Sequence, residues 1–99
     1  MPRMDKLSSY KTTYLDDEEG GIVIYHQTAI VRWQHNIADT VIRLNSNGWQ
    51  TTTTKRKMNQ ASNQFCLGFS VYQKDFDWFV TKPSGETVPY VDGMEFIRS

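Results

Sequence analysis

The sequence has 99 residues, which fits one small domain, and its hydrophobic content of 38% is enough for one compact core. Basic and acidic residues both number 11, so the formal net charge is zero, which excludes the overall basic excess of a dedicated duplex-DNA binder. The single cysteine, Cys66, excludes an internal disulfide framework and fits a reducing compartment. No apolar run approaches the roughly 20 residues that cross a bilayer, and the start lacks a signal-peptide core. These features predict a soluble intracellular protein.

The first part of the chain is predicted to be a flexible N-terminal arm over residues 1–20, followed by one domain over residues 21–99. The start has no periodicity, and the acidic run at residues 16–19 is closed by two glycines. Such runs are usually solvated and mobile. Tyr10 and Tyr14 remain candidates for docking on the domain or on a second subunit.

Three β-rich runs come next, over residues 21–27, 28–35 and 39–45. Their apolar residues alternate with polar ones; Val31 and Trp33, for example, fall on one face. Short connections between the runs predict an antiparallel meander.

A strong turn signal at residues 45–48 precedes the helix. Thr52, Thr53 or Thr54 can provide the N-cap, because a threonine hydroxyl accepts an otherwise unpaired amide hydrogen. Met58, Ala61 and Phe65 then recur at helical spacing, and Gly68 is suited to the position after the helix. The pattern predicts a helix of about 12 residues, or roughly 18 Å.

The last part of the chain returns to strand patterns at residues 69–74, 78–81, 87–90 and 94–97, separated by turn signals such as Asp92-Gly93. Together the patterns predict an α+β fold: an antiparallel sheet of about five to six strands, in the order β-β-β-α-β-β, with one helix packed on a face.

The densest polar chemistry lies where the helix begins. A helix N-terminus carries unpaired amide hydrogens and about half a positive charge, and here hydroxyls and cations follow one another beside a tryptophan that could stack on a base. We therefore predict an anion site, with His26 and Thr28 contributing from the end of the first strand. The candidate ligand-binding residues are Trp49, Thr51, Thr53, Thr54, Lys55, Arg56, His26 and Thr28.

The alternative is that one threonine caps the helix, the others pair across strands, and the cations are solvated. Cations in the first turn would oppose the macrodipole by roughly 0.3–1 kcal/mol each, and a bound anion would relieve that cost. The stretch is not a Walker loop, because it lacks the glycines. Two histidines and one cysteine without ligand spacing argue against a metal, and no cofactor or catalytic residue is predicted. His35 completes a pair with His26 only if the strands bring them together.

Four segments of the sequence resemble those of a known protein family, and two of them are distinctive. They are Gly48-Trp49-Gln50-Thr51-Thr52-Thr53-Thr54-Lys55-Arg56-Lys57-Met58-Asn59 and Val71-Tyr72-Gln73-Lys74-Asp75-Phe76-Asp77-Trp78-Phe79. With Thr13 to Asp16 and Tyr25 to Val31, they resemble a family of small proteins encoded by tailed bacteriophages, notably marine ones. The resemblance implies a setting in the host bacterial cytoplasm during infection, and it implies no particular mechanism.

Three functions follow as expectations. The first is a non-enzymatic accessory protein that binds an anionic nucleotide or nucleic-acid ligand at the threonine and lysine end of the helix, to counter or redirect host functions. The second is a protein-protein inhibitor of a host bacterial factor, acting through a sheet edge or the aromatic hairpin around Phe76. The third is a small hydrolase or phosphodiesterase using His26. No membrane partner is expected, and pairing of edge strands favours a homo-oligomer.

Overall fold

A computed structural model describes residues 11–48 and 50–98, which form eight strands and one helix. The elements in chain order are β1 (Thr12–Asp17), β2 (Gly20–Tyr25), β3 (Thr28–His35), β4 (Thr40–Leu44), α1 (Thr52–Gln64), β5 (Ser70–Lys74), β6 (Asp77–Thr81), β7 (Thr87–Pro89) and β8 (Glu95–Arg98).

The strands form two sheets in which every pairing is antiparallel. The larger sheet has the order β1-β2-β3-β4-β8, so the last strand returns to pair with β4, and the smaller sheet has the order β5-β6-β7. The predicted α+β class, with antiparallel strands and one helix, is confirmed. The predicted single sheet is instead divided into two, because β5, β6 and β7 pair only with one another among the described strands.

The core lies between the larger sheet, the helix and the smaller sheet. Alternation along the strands turns Val31 and Trp33 inward, as predicted, and the helix contributes Met58 and Ala61. Ring contacts join the layers: Trp33 stacks on Phe65 with centroids 4.7 Å apart. One continuous cluster therefore holds both sheets.

The helix ends differ from the sequence expectation. Thr51 is the N-cap, and its hydroxyl accepts from the N–H of Thr54 at 3.2 Å. At the other end Cys66, with φ 57°, takes the left-handed position that was predicted for Gly68. The Leu67 N–H then donates to the Ser62 carbonyl at 2.9 Å, so the turn closes two residues earlier than expected.

Two helix side chains bond to the backbone of β5 and the residue before it. Asn59 accepts from the Val71 N–H at 2.7 Å and donates to the Val71 carbonyl at 2.8 Å. The Ser62 hydroxyl accepts from the Phe69 N–H at 2.9 Å and donates to the Phe69 carbonyl at 2.6 Å. The helix therefore satisfies backbone groups that an edge strand would otherwise expose.

The segment assigned to an arm is in part a strand. β1 is an edge strand that pairs with β2 from Thr12↔Tyr25 to Asp17↔Gly20. Asp17 closes this hairpin, since its carboxylate accepts from the N–H groups of Glu19 and Gly20. The rest of the arm predicted over residues 1–20, namely residues 1–10, lies outside the described residues.

Candidate functional site

A cleft of about 790 Å³ opens between the tip of the β2–β3 hairpin and the start of α1. This volume lies within the usual range for small-molecule sites. Four of the eight predicted site residues line it: His26, Thr28, Thr51 and Thr54. The remaining described lining residues are Lys11, Thr13, Tyr25, Gln27, Ile30, Ser46 and Asn47. No described lining residue carries a carboxylate, so the charged side chain that faces the cleft, Lys11, favours an anion.

The hairpin tip sets the position of His26. Tyr25 and Thr28 pair at the end of the strands, which leaves His26 and Gln27 as a two-residue turn. His26 has φ 58°, and its N–H donates to the carbonyl of Lys11 at 2.8 Å, so the residue before β1 holds the turn. The imidazole is exposed and lies 4.4 Å, between centroids, from the Tyr25 ring. It is free to offer a hydrogen bond to a molecule in the cleft.

Two threonine side chains at the helix start, Thr51 and Thr54, use part of their hydrogen-bonding capacity on each other. The Thr54 side chain is buried, and its hydroxyl lies 3.1 Å from the Thr51 hydroxyl. The first helical bond runs from the Lys55 N–H to the Thr51 carbonyl at 3.1 Å. The N–H groups of Thr52 and Thr53 precede this bond and form the open, partly positive end of the helix.

The predicted cations do not join the cleft. Because α1 begins at Thr52, Lys55 is the fourth helical residue, at the end of the first turn, and Arg56 lies in the second turn. Neither they nor Thr53 are among the described lining residues. Trp49, the predicted stacking residue, lies outside the described residues.

A third cation, Lys57, was missed as a site residue. Its side chain is 2% exposed, and its Nζ lies 5.1 Å from the centroid of the Tyr25 ring, which lines the cleft. Desolvation lowers the pKa of the Lys57 ammonium. Its burial could have been predicted from its spacing from Thr54 and Ala61, which places Lys57 on the buried face of the helix. In its protonated form Lys57 adds positive charge behind the cleft wall.

The loop between β4 and α1 is fixed by Asp92, 46 residues away from Ser46. One oxygen of this carboxylate accepts from the Ser46 N–H at 3.0 Å, the Ser46 hydroxyl at 2.7 Å and the Tyr90 hydroxyl at 2.7 Å. The other accepts from the Gly48 N–H at 3.0 Å. Desolvation acts to raise the pKa of Asp92, but these hydrogen bonds outweigh it, so the pKa is lowered. Burial also raises the pKa of the Tyr90 phenol.

His35 does not approach His26, although β2 and β3 do pair. It ends β3 on the side away from the hairpin tip, roughly 23 Å from Thr28 at about 3.3 Å per residue. There its Nδ1 lies 2.9 Å from the Thr40 hydroxyl. Within the described residues no group of three or more histidine, cysteine, aspartate or glutamate side chains could hold a metal ion. The described helix lacks the length and apolar character of a membrane-spanning segment.

Comparison with known proteins gives one result. Residues 2–97 match the family model described as Kyanoviridae Gp96 protein, so the match spans nearly the whole chain. Curated proteins and solved structures give no match. The resemblance to a family of small bacteriophage proteins, drawn from the sequence motifs, is confirmed at the level of the family.

Proposed function

Because the chain belongs to the Kyanoviridae Gp96 family of small bacteriophage proteins, we propose that it is a phage accessory protein that binds an anionic nucleotide or nucleic-acid ligand in the cleft beside α1. Binding would not involve catalysis, and it would serve to counter or redirect host functions. The observation that carries the proposal is the composition of the cleft wall. Hydroxyls, a histidine and a lysine converge there, without a carboxylate among the described lining residues.

The ligand's phosphate has donors on both sides of the cleft. His26 and Thr28 approach from the hairpin, and Lys11 from the chain just before β1. On the other side lies the Thr51 hydroxyl, at the N-terminal end of α1, where the helix dipole favours an anion. This assignment moves the anion away from Lys55 and Arg56, toward the hairpin tip.

Thermal stability in a panel of mononucleotides and short oligonucleotides tests the proposal. A ligand that binds the native state adds about 2.7 kcal/mol of stability at a hundredfold excess over its Kd. We expect a concentration-dependent rise in the unfolding temperature for at least one anionic ligand. Flat responses across the panel at millimolar ligand would remove nucleotides and oligonucleotides from consideration.

Matched variants locate the site. His26→Ala removes an exposed cleft histidine, whereas His35→Ala removes the histidine at the far end of β3 and serves as the control. Lys11→Ala should likewise weaken binding more than Lys55→Ala, because Lys11 lines the cleft and Lys55 does not. A larger loss for Lys55→Ala than for Lys11→Ala, together with no loss for His26→Ala, would place the ligand on the outer surface of the helix instead of in the cleft.

One observation favours the second candidate, an inhibitor that contacts a host protein. Phe76, at the tip of the β5–β6 hairpin, is 92% exposed and has φ 70°, a conformation that bulky residues rarely adopt. A strained, exposed aromatic side chain is typical of a contact residue. Phe76→Ser should abolish capture of a host protein from lysate after nuclease and high-salt treatment, while leaving nucleotide binding unchanged; retention of the captured protein would argue against this surface.

A further inference from the structure

The outer face of the larger sheet is open. The helix and the smaller sheet pack on the inner face, while the outer face carries a concavity of about 770 Å³. The strand register places Leu15, Ile22 and Arg32 side by side in one row across β1, β2 and β3. Leu15 is 71% exposed and Ile22 is half-buried. An apolar row in the middle of an exposed sheet face indicates a contact surface.

The charges on this face are balanced only in part: Arg43 lies opposite Glu95 on β8, whereas the cross-strand partners of Arg32 are Ile22 and Arg43. Arg32 and Arg43 are direct cross-strand partners, and like charges in that position repel. Neither arginine forms an ion pair with another described residue. Asp17 and Glu19 line the same concavity from the end of the β1–β2 hairpin. Arg32 and the acidic end of the β1–β2 hairpin therefore lack an opposite charge in the neighbouring strand positions, and a second molecule with the same pattern could supply it.

We propose that this face binds a second copy of the chain about a two-fold axis that runs along β2. Such an axis exchanges β1 and β3, so the β1 row of each copy faces the β3 row of the other. Ile22 then meets Ile22 on the axis, and Leu15 covers the aliphatic part of Arg32 in the facing copy. Both contacts remove apolar surface from water.

The same operation matches the charges. Asp17 and Gln34 lie in one row, on β1 and β3, with Gly20 between them, so Asp17 of one copy faces the Gln34 amide of the other. Asp17 lies two residues from Leu15 along β1, about 6.6 Å, which the long Arg32 side chain of the facing copy spans. Glu19 adds a second negative charge at this corner. Each contact away from the axis occurs twice, so two acidic corners meet two arginines.

The interface is small, because it uses three short strands, and it should therefore be reversible. Sedimentation velocity of the full chain tests it over a wide range of concentration. We expect a monomer–dimer equilibrium that shifts toward the monomer as salt rises, since exposed charge pairs are screened. A wild-type chain that stays monomeric at several hundred micromolar would overturn the proposal. This holds even if the same face were found to bind an anionic polymer or another protein.

Charge exchange distinguishes this arrangement from other dimers. Arg32→Glu places like charges against the facing acidic corner and should shift the population to the monomer. Glu19→Lys added to Arg32→Glu restores opposite charges and should restore the dimer. Glu19 is preferred to Asp17 because the Asp17 carboxylate closes the β1–β2 turn.

Lys74→Glu, which reverses an exposed charge on the smaller sheet, should dimerise as the wild type does. Circular dichroism confirms that each variant is folded. Leu15→Glu gives a second route, because it buries a charge at the contact and should also produce the monomer. A folded double variant that remains monomeric, or a dimer that tolerates both Arg32→Glu and Leu15→Glu, would overturn the proposed face.

Discussion

Asp92→Ala should destabilise the protein by about 2–4 kcal/mol, although Asp92 is exposed and far in sequence from the loop that it holds. The substitution removes the acceptor for Ser46, which is 1% exposed, and for the buried Tyr90 hydroxyl. Leaving a buried donor unsatisfied costs about 1–3 kcal/mol. The Gly48 N–H is exposed and can bond to water instead, so its loss adds little. Solvent near Asp92 also reduces the cost at Ser46 and Tyr90, so the expected loss of stability lies at the lower end of what these donors could cost together.

Urea unfolding at neutral pH measures the loss. Asp16→Ala is the matched control, because it removes the same charge from an exposed position without a hydrogen-bonding role among the described residues. We expect a change within about 0.5 kcal/mol for the control. If Asp92→Ala were as mild as Asp16→Ala, contacts other than those to Asp92 would have to hold residues 45–48, which would refute the role given to this carboxylate.

The pH dependence gives a second measurement on the same residue. The folded-state pKa of Asp92 is lowered from its ordinary value of 3.8, so the unfolded state takes up the proton first as the pH falls. The stabilisation is therefore complete above pH 3.8 and is lost as the pH falls through the folded-state pKa. The stability difference between the wild type and Asp92→Ala should narrow in that acidic range, and a constant difference would contradict the assignment.

Three further outcomes are expected. Phe76→Gly should raise the free energy of unfolding by about 1 kcal/mol in urea, because glycine adopts the positive φ without strain; a loss would show that Phe76 packs in solution. Asn59→Ala should cost about 2 kcal/mol and increase hydrogen exchange at the Val71 amide, whereas Asn63→Ala, an exposed helix position, should leave that amide protected. Because desolvation lowers the pKa of Lys57 in the fold, the wild type should gain stability relative to Lys57→Met as the pH rises toward 10.5, and parallel pH profiles would refute this.

The sequence predicts the strands well because their signals are local. Alternation identifies β3 at its observed bounds, from Thr28 to His35, and the Asn47-Gly48 turn marks the break before the helix. β1 was hidden because acidic residues at its end resemble a solvated run, and pairing with β2 decides its structure. In this case tertiary pairing outweighs composition.

Four of the eight site residues predicted from the sequence line the observed cleft. The hydroxyl-rich helix start and His26 belong to one cleft, but the helix cap is Thr51 and not Thr52, Thr53 or Thr54, so the helix begins one to three residues earlier than predicted. That shift leaves Lys55 at the end of the first turn and moves Arg56 into the second. Lys57 was missed because a lysine in a helix counts as polar in a periodicity argument, although its aliphatic stem packs in the interior. No local signal connects Ser46 with Asp92.

The attachment of α1 to residues 69 and 71 has a mechanical consequence. Four hydrogen bonds from Asn59 and Ser62 prevent the helix from sliding along its axis independently of the β5–β6 hairpin. The start of this helix bounds the cleft, and the hairpin carries Phe76 at its tip. We therefore expect the helix and the hairpin to move together, so that a displacement at the cleft is transmitted to the hairpin tip. The connection depends on Asn59 and Ser62, two polar helix residues whose sequence alone does not indicate this role.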